Sequence, residues 1–406
     1  MAVVALVLGS AAWGADSPPP KPQLSASAGP DLIKAQKANT DKKYDEAIAI
    51  LDKVKANPKK SEYDEYVMNE FYFQAYAGLK RYQDAEAPLE ATLASKYLSP
   101  ENRKIRLYQG AVLNYQLKNY AKALDFGKQA IDAGDTRGEV KNLVVQADYL
   151  NGNYKETDQA ARSLVDEEVK AGETPTQELL EIGLSAGSKL NDEPMQVHWL
   201  ELLVTYHPTA EYWEDLRDTV YHYKLTDRQT LQLYRLSADL GLLKKGSEYE
   251  EMAQLASDGG FPGETVAVLN KAFAANAFTD PTQLSHSQKL LESAKKKAAA
   301  DEAGLPALEA ESAKAPTGDG LIGAGVGYFS YGNYAKAVAD ISAGLAKGTS
   351  KDTSDARLIL GISQLRTGDK DGAIKSFQSV MGDAVYQRLA ALWILRAKSP
   401  ATSGQS

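Results

Sequence analysis

The chain has 406 residues, is 43% hydrophobic and 25% charged, and sets 46 basic against 54 acidic residues for a net charge of −8. It has no cysteine, which excludes disulfides, thiolate metal sites and cysteine nucleophiles. The acidic balance argues against a nucleic-acid footprint, and His198, His207, His222 and His286 are too few and too scattered for a metal tract.

Residues 2–13 read AVVALVLGSAAW, an apolar stretch of signal-peptide length followed by small residues. A cut between Gly14 and Ala15 is expected, although no basic residue precedes Lys21. The stretch is shorter than the roughly 20 apolar residues that span a bilayer. A buried first helix or strand is the other reading. Residues 15–30 contain five prolines and read as a spacer. The signal places the mature chain outside the cytoplasm, in a periplasm or an equivalent compartment.

A short pattern then recurs: a small or polar turn, Tyr, two residues, Ala, three residues, a large apolar residue. Tyr44, Ala47 and Leu51 carry it first, then Tyr82, Ala85 and Leu89, then Tyr120 and Ala123. The tyrosines are 38 residues apart each time, and Tyr154 follows with Thr157 in the alanine slot. Periods of this size mean stacked supersecondary units. The physical reading is a pair of helices. The first ends in a turn that tolerates left-handed backbone, the second begins near the tyrosine, and the alanine sits where the two approach closely. Neither helix buries its apolar stripe alone, so successive pairs stack.

Residues 166–315 read as helical with a weaker pattern. Thr174–Gln177, Thr226–Gln229 and Asp280–Gln283 each pair a capping residue with a glutamine three later, and Ser99-Pro100 is a similar start. Met252, Ala256, Thr265 and Leu269 suggest a loose unit whose second helix starts at Pro262. An exposed Ala/Lys/Glu-rich helix is expected from Glu292, broken at Pro306. The pattern returns at residues 316–396 with Gly325, Tyr328, Gly332, Tyr334, Ala337 and Ile341, then Gly361, Gly368, Ala373 and Phe377. An apolar helix over 385–395 is expected to cap the array, and 397–406 to form a tail.

These residues and spacings resemble the tetratricopeptide repeat family, most clearly over 30–165 and 316–382. The resemblance implies an all-α, right-handed superhelical solenoid of helix-turn-helix repeats, organised as 31–165, 166–315 and 316–396. It implies a protein–protein interaction scaffold with no catalytic, cofactor or metal residues, which binds a protein or peptide partner through its concave groove. The family slots project Glu70, Gln74 and Ala77, then Tyr108, Val112 and Tyr115, then Asn142, Gln146 and Tyr149 onto that face. Gln74, Tyr108, Tyr115, Asn142, Gln146 and Tyr149 are the candidate partner-binding residues, an amide and aromatic ladder suited to an extended peptide. Packing against the next repeat is the competing reading of the same residues. The subclass that clamps a C-terminal carboxylate uses Lys and Asn in two of these slots. Tyr108 and Val112, or Glu70 and Gln74, stand there instead, so the chain departs from that chemistry.

Three other motifs have plainer readings. Gly183-Leu-Ser185-Ala-Gly187 matches a nucleophile elbow, but an elbow needs a strand before it, and here the flanking spacing is helical. Ser293-Ala-Lys295-Lys296 matches S-x-x-K without its companion motifs. Gly323-Ala-Gly325-Val-Gly327 lacks both the spacing and the strand of a phosphate loop. Two further classes stay open: a self-assembling structural solenoid, and a hydrolase built around Ser185. The partner class expected is a cell-envelope complex such as an assembly or adaptor machine, by analogy alone.

Overall fold

The computed structural model describes residues 22–349 and 351–399. The expected signal peptide, residues 15–21 of the spacer and residues 400–406 of the tail lie outside the described residues. Every described regular element is a helix, as the pattern requires. Within the described residues no helix is long and apolar enough to cross a membrane. Two compact units divide the chain, Met1–Leu164 and Val165–Ser406.

The first unit contains α1 (Gly29–Thr40), α2 (Tyr44–Ala56), α3 (Glu62–Gly78), α4 (Tyr82–Ala94), α5 (Pro100–Gln116), α6 (Tyr120–Asp132), α7 (Gly138–Leu150) and the start of α8 (Tyr154–Lys170). The repeated tyrosine is the first residue of α2, α4, α6 and α8. Its ring closes the end of the preceding helix. Tyr120 meets Tyr115 edge-on at 5.6 Å, and Tyr154 meets Tyr149 at the same distance. Ala47, Ala85, Ala123 and Thr157 are wholly buried at the crossings. The Thr157 hydroxyl bonds back to the Asn153 carbonyl at 2.9 Å, so a threonine fits an alanine slot without an orphaned polar atom.

Each turn between paired helices places one residue in the left-handed region. The N–H of that residue and of the next bond back to two carbonyls of the closing helix, as Lys80 does to Ala77 and Arg81 to Tyr76. Glycine serves at Gly152, Gly332 and Gly368, but lysine stands at Lys42, Lys80 and Lys118, with φ of 60°, 58° and 58°. A side chain there strains the backbone. Lys118→Gly is therefore expected to raise stability by about 0.5 kcal/mol, while Gly332→Ala lowers it by about 1 kcal/mol. Thermal melts of the two variants check the opposite signs.

The second unit contains α9 (Gln177–Leu190), α10 (Glu193–Tyr206), α11 (Ala210–Asp218), a 3-10 turn (Thr219–His222), α12 (Asp227–Asp239), α13 (Gly246–Asp258), α14 (Pro262–Ala274), α15 (Pro281–Ser312), α16 (Asp319–Ser330), α17 (Tyr334–Lys347), α18 (Ser354–Arg366), α19 (Lys370–Gln378) and α20 (Ala384–Lys398). Thr226, Asp280 and Ser99 cap as expected. The cap of α9 is Thr176, not Thr174: its hydroxyl accepts from the Leu179 N–H at 3.3 Å. Pro306 does not break α15, which runs unbroken for 32 residues from Pro281. Pro306 and Glu302 both lie on the exposed face, where water can satisfy the carbonyl that proline leaves without a donor.

The sequence does not announce what fills the second unit. Eight of the thirteen residues of α12 are buried, among them Gln229, Gln232 and Arg235. Each polar one has a partner on a surrounding element. Gln232 bonds Asp355 of α18 at 2.7 Å, and Gln229 bonds Asp383 before α20 at 3.1 Å. The Arg235 guanidinium pairs with Glu264 of α14 at 2.6 and 2.8 Å and lies between the Phe261 and Phe329 rings. This polar set is tolerated in a core because each member donates to a carboxylate, with only the Gln232 Oε1 among them left without a partner.

The last helix, expected only to cap the array, also returns to the start of the unit. Arg388 pairs with Glu201 of α10, and the Ser399 hydroxyl donates to the Val204 carbonyl at 2.8 Å. Asp239, at the end of α12, receives Arg366 of α18 at 2.6 Å and Arg396 of α20 at 2.7 Å. One little-exposed carboxylate thus joins three helices. Asp239→Ala removes both contacts, one of them to the exposed Arg366, and should cost about 1–2 kcal/mol. Denaturant unfolding measures this, and a change below the surface-pair scale of about 0.5 kcal/mol would refute the joint.

Candidate partner-binding face

The first helices of successive pairs in unit one are α3, α5 and α7, and they carry the projected ladder. α3 packs on α1, α2 and α4, and α5 on α4, α6 and α7. Glu70 ties α3 to α5: Arg106 grips its carboxylate with two N–H groups, one at 2.9 Å, and donates a further bond to Gln109 at 2.7 Å. The Glu70 bond and charge hold the Arg106 guanidinium more firmly protonated, against its burial. The one acidic slot of the ladder is therefore neutralised by the protein itself.

Of the ladder residues, Gln74 is exposed, and Tyr108, Tyr115, Asn142, Gln146 and Tyr149 are half-buried. Tyr108 packs on the α5 core and lies under Arg137, whose guanidinium is 4.6 Å from the ring centre. Asp135 fixes that arginine through a 2.8 Å bond, and the bond holds the buried Asp135 carboxyl below its usual range. Tyr115 rests on Ala123, Leu124, Val144 and Ala147, the last two on α7. Its ring and that of Tyr149 each turn an edge contact toward the next helix of their own pair. These tyrosines thus contribute to packing and still reach the surface. Tyrosine suits both, with an apolar body and a polar tip.

The projection did not include a second feature of this unit. Tyr63 and Tyr66 of α3 meet Tyr97, from the α4–α5 connection, with ring centres 5.2 to 6.2 Å apart. Beside them lies a hollow of about 460 Å³. The sequence signal is the Glu62-Tyr63-Asp-Glu65-Tyr66 stretch, but Tyr97 is 31 residues further on and joins it only in the fold. Lys96 pairs with Glu62 there and holds that carboxyl below its usual range.

The competing motifs resolve into packing. Gly183 lies inside α9, and a Cβ there would come within 2.3 Å of the Trp199 ring. Gly325 faces Ile341 and Gly361 faces Phe377 in the same way, sixteen residues on in each case. Gly183 is therefore the small residue of a helix pair whose large residue is Trp199. Ser185 stands mid-helix, without the strand-to-helix turn of an elbow. Ser293 and Lys296 lie within α15, and Gly325 and Gly327 let α16 approach Ile341 and Leu305. Among the described residues no group of three or more His, Asp or Glu is placed to hold a metal ion.

Residues 73–137 and 324–383 match the tetratricopeptide repeat family model. No curated protein matches the chain. Among solved structures, a tetratricopeptide repeat protein from Parabacteroides merdae is similar at 14% identity, over 81% of this chain and 98% of its own, with a TM-score of 0.31. The pilF protein of Pseudomonas aeruginosa is similar at 14% identity over 48% and 97%, with a TM-score of 0.27. Yeast Tom70 is similar at 13% identity over 91% and 95%, with a TM-score of 0.26. The repeat assignment rests on the family match and on the crossing geometry described above.

Proposed function

The chain is a tetratricopeptide-repeat protein over the two segments that the family model matches, and from that premise we propose that it is a non-catalytic scaffold holding an extended peptide or protein segment against α3, α5 and α7. Gln74, Asn142 and Gln146 would supply amide hydrogen bonds to the partner's backbone, and Tyr108, Tyr115 and Tyr149 flat contact area. The observation that carries this reading is the contrast between the units. In the second, α12 supplies amides and a guanidinium to Asp355, Asp383 and Glu264, so those donors are taken up within the unit. In the first, Glu70 and Arg106 close the charged slot, and the uncharged side chains of Gln74, Tyr108 and Asn142 keep part of their surface in water.

We place the scaffold in the cell envelope of a bacterium, as an adaptor or assembly component. The apolar stretch over 2–13 and the proline-rich segment after it support export, and the lack of cysteine is compatible with it.

Affinity capture from a cross-linked envelope extract tests the reading, with the native chain beside Gln74→Arg and Tyr115→Glu. Each variant is first checked for native helicity and melting. A partner recovered by the native chain should fall by about tenfold or more with either variant, the loss expected when a central contact is removed. Equal recovery by all three forms would contradict the face. No partner at all, with light scattering that rises with concentration, would point to self-assembly instead.

A further inference from the structure

The hollow beside Tyr63, Tyr66 and Tyr97 continues the α3 stripe of the ladder. Tyr66 lies one turn before Glu70, which lies one turn before Gln74. A segment laid along that stripe would reach the hollow at its end. Tyr66 and Tyr97 line it, Ala91 and Ala94 form a low wall, and Glu62 and Glu65 stand at the rim. The protein already shows what this lining accepts. Lys96 places its ammonium 5.3 Å from the centre of the Tyr97 ring and pairs with Glu62. Both side chains of that pair are mostly exposed, 68% and 72%, so the pair is weakly held and readily exchanged. The lining holds two carboxylates, Glu62 and Glu65, and one ammonium, Lys96, an excess of one negative charge.

We infer that the hollow receives a lysine or arginine side chain of the bound partner, with its aliphatic stem on Tyr66 and Tyr97, its charge shared by Glu62 and Glu65, and Lys96 displaced into solvent. The aromatic faces attract a cation, and the small alanines leave room for the stem. Lys96 is then an internal competitor that sets a threshold for the partner's basic residue. This deepens the groove reading by naming the partner's chemistry: an extended segment with a basic residue near the end that meets α3. It rests on that reading for the partner but not for the hollow.

The test uses the full chain and a fluorescent, end-capped Gly-Lys-Gly-Lys-Gly peptide, with a norleucine-for-lysine peptide as control, read by anisotropy at low and at physiological salt. Lys96→Met should tighten binding of the lysine peptide by about threefold or more, because it removes the competitor. Glu62→Gln and Tyr97→Leu should each weaken it by about threefold to tenfold, and the norleucine peptide should bind no variant. Binding that Lys96→Met leaves unchanged or weakens would overturn the inference. So would equal binding of the norleucine peptide, or no binding by either the native chain or Lys96→Met. Gln74→Arg separates the two readings. It should leave this short peptide's binding within about twofold, since the peptide needs only the hollow. If the peptide data hold while partner capture ignores Gln74→Arg and Tyr115→Glu, the groove reading fails and the hollow stands.

Discussion

At the repeat crossings there is room for an alanine, or for a threonine whose hydroxyl bonds back to its own helix, and for nothing larger. Ala47, Ala85, Ala123, Ala337 and Ala373 are all wholly buried, with Thr157 and Thr265 in the same slot. That closeness brings the next large residue, such as Leu51, Leu89, Ile341 or Phe377, fully out of water one turn on. Each such side chain contributes about 1.5–3 kcal/mol of burial. Gly325 and Gly361 extend the same constraint to the partner helix, since any Cβ there would strike Ile341 or Phe377. Because a pair hides only one stripe of each helix, it must stack on its neighbours, and the remaining faces become the surface on which function is built.

The two units use that surface differently. In the second, α12 is buried nearly all round, and its polar side chains are answered by groups from α14, α18 and the segment before α20. Such a helix rarely holds its place by hydrophobicity alone. Its buried amides and guanidinium fix one register, because leaving any of them unpaired costs more than the bond itself contributes. The Asp239 carboxylate then joins α12 to α18 and α20. In the first unit, the charges beside the ladder pair with one another, Glu70 with Arg106 and Asp135 with Arg137, and the candidate positions themselves carry uncharged side chains. A neutral, amide-rich face suits backbone recognition, where specificity comes from shape and from a few anchored side chains.

The repeat was legible because its signal is local: a tyrosine at a helix start, an alanine three residues on, and a turn of fixed length. The caps at Ser99, Thr226 and Asp280 were legible for the same reason. Thr176 was missed because two threonines flank Pro175, and only the chain's path decides which hydroxyl faces the Leu179 N–H. Pro306 misled because the cost of proline depends on whether the freed carbonyl meets water, which is a property of the folded surface. The role of α12 could not be read from its own residues. Gln229, Gln232 and Arg235 look like a solvated face until Asp383, Asp355 and Glu264 arrive from 154, 123 and 29 residues away. Of the candidate face, the residue types and the chance that its tyrosines also pack were legible, but the particular contacts of Tyr115 with Tyr120 and of Tyr149 with Tyr154 were not. The Tyr97 contribution to the hollow was hidden in a connection that carries no repeat signal.

The most direct test of the central claim is site-specific photo-crosslinking in cells. A benzophenone side chain is placed in separate chains at Gln74, at Asn142 and at Arg228, the last on α12 near the Asp355 contact. Division of labour between the units predicts partner adducts from Gln74 and Asn142 and none from Arg228. Adducts from Arg228 alone would contradict it, because they would place the partner on the unit whose inner groups α12 already satisfies.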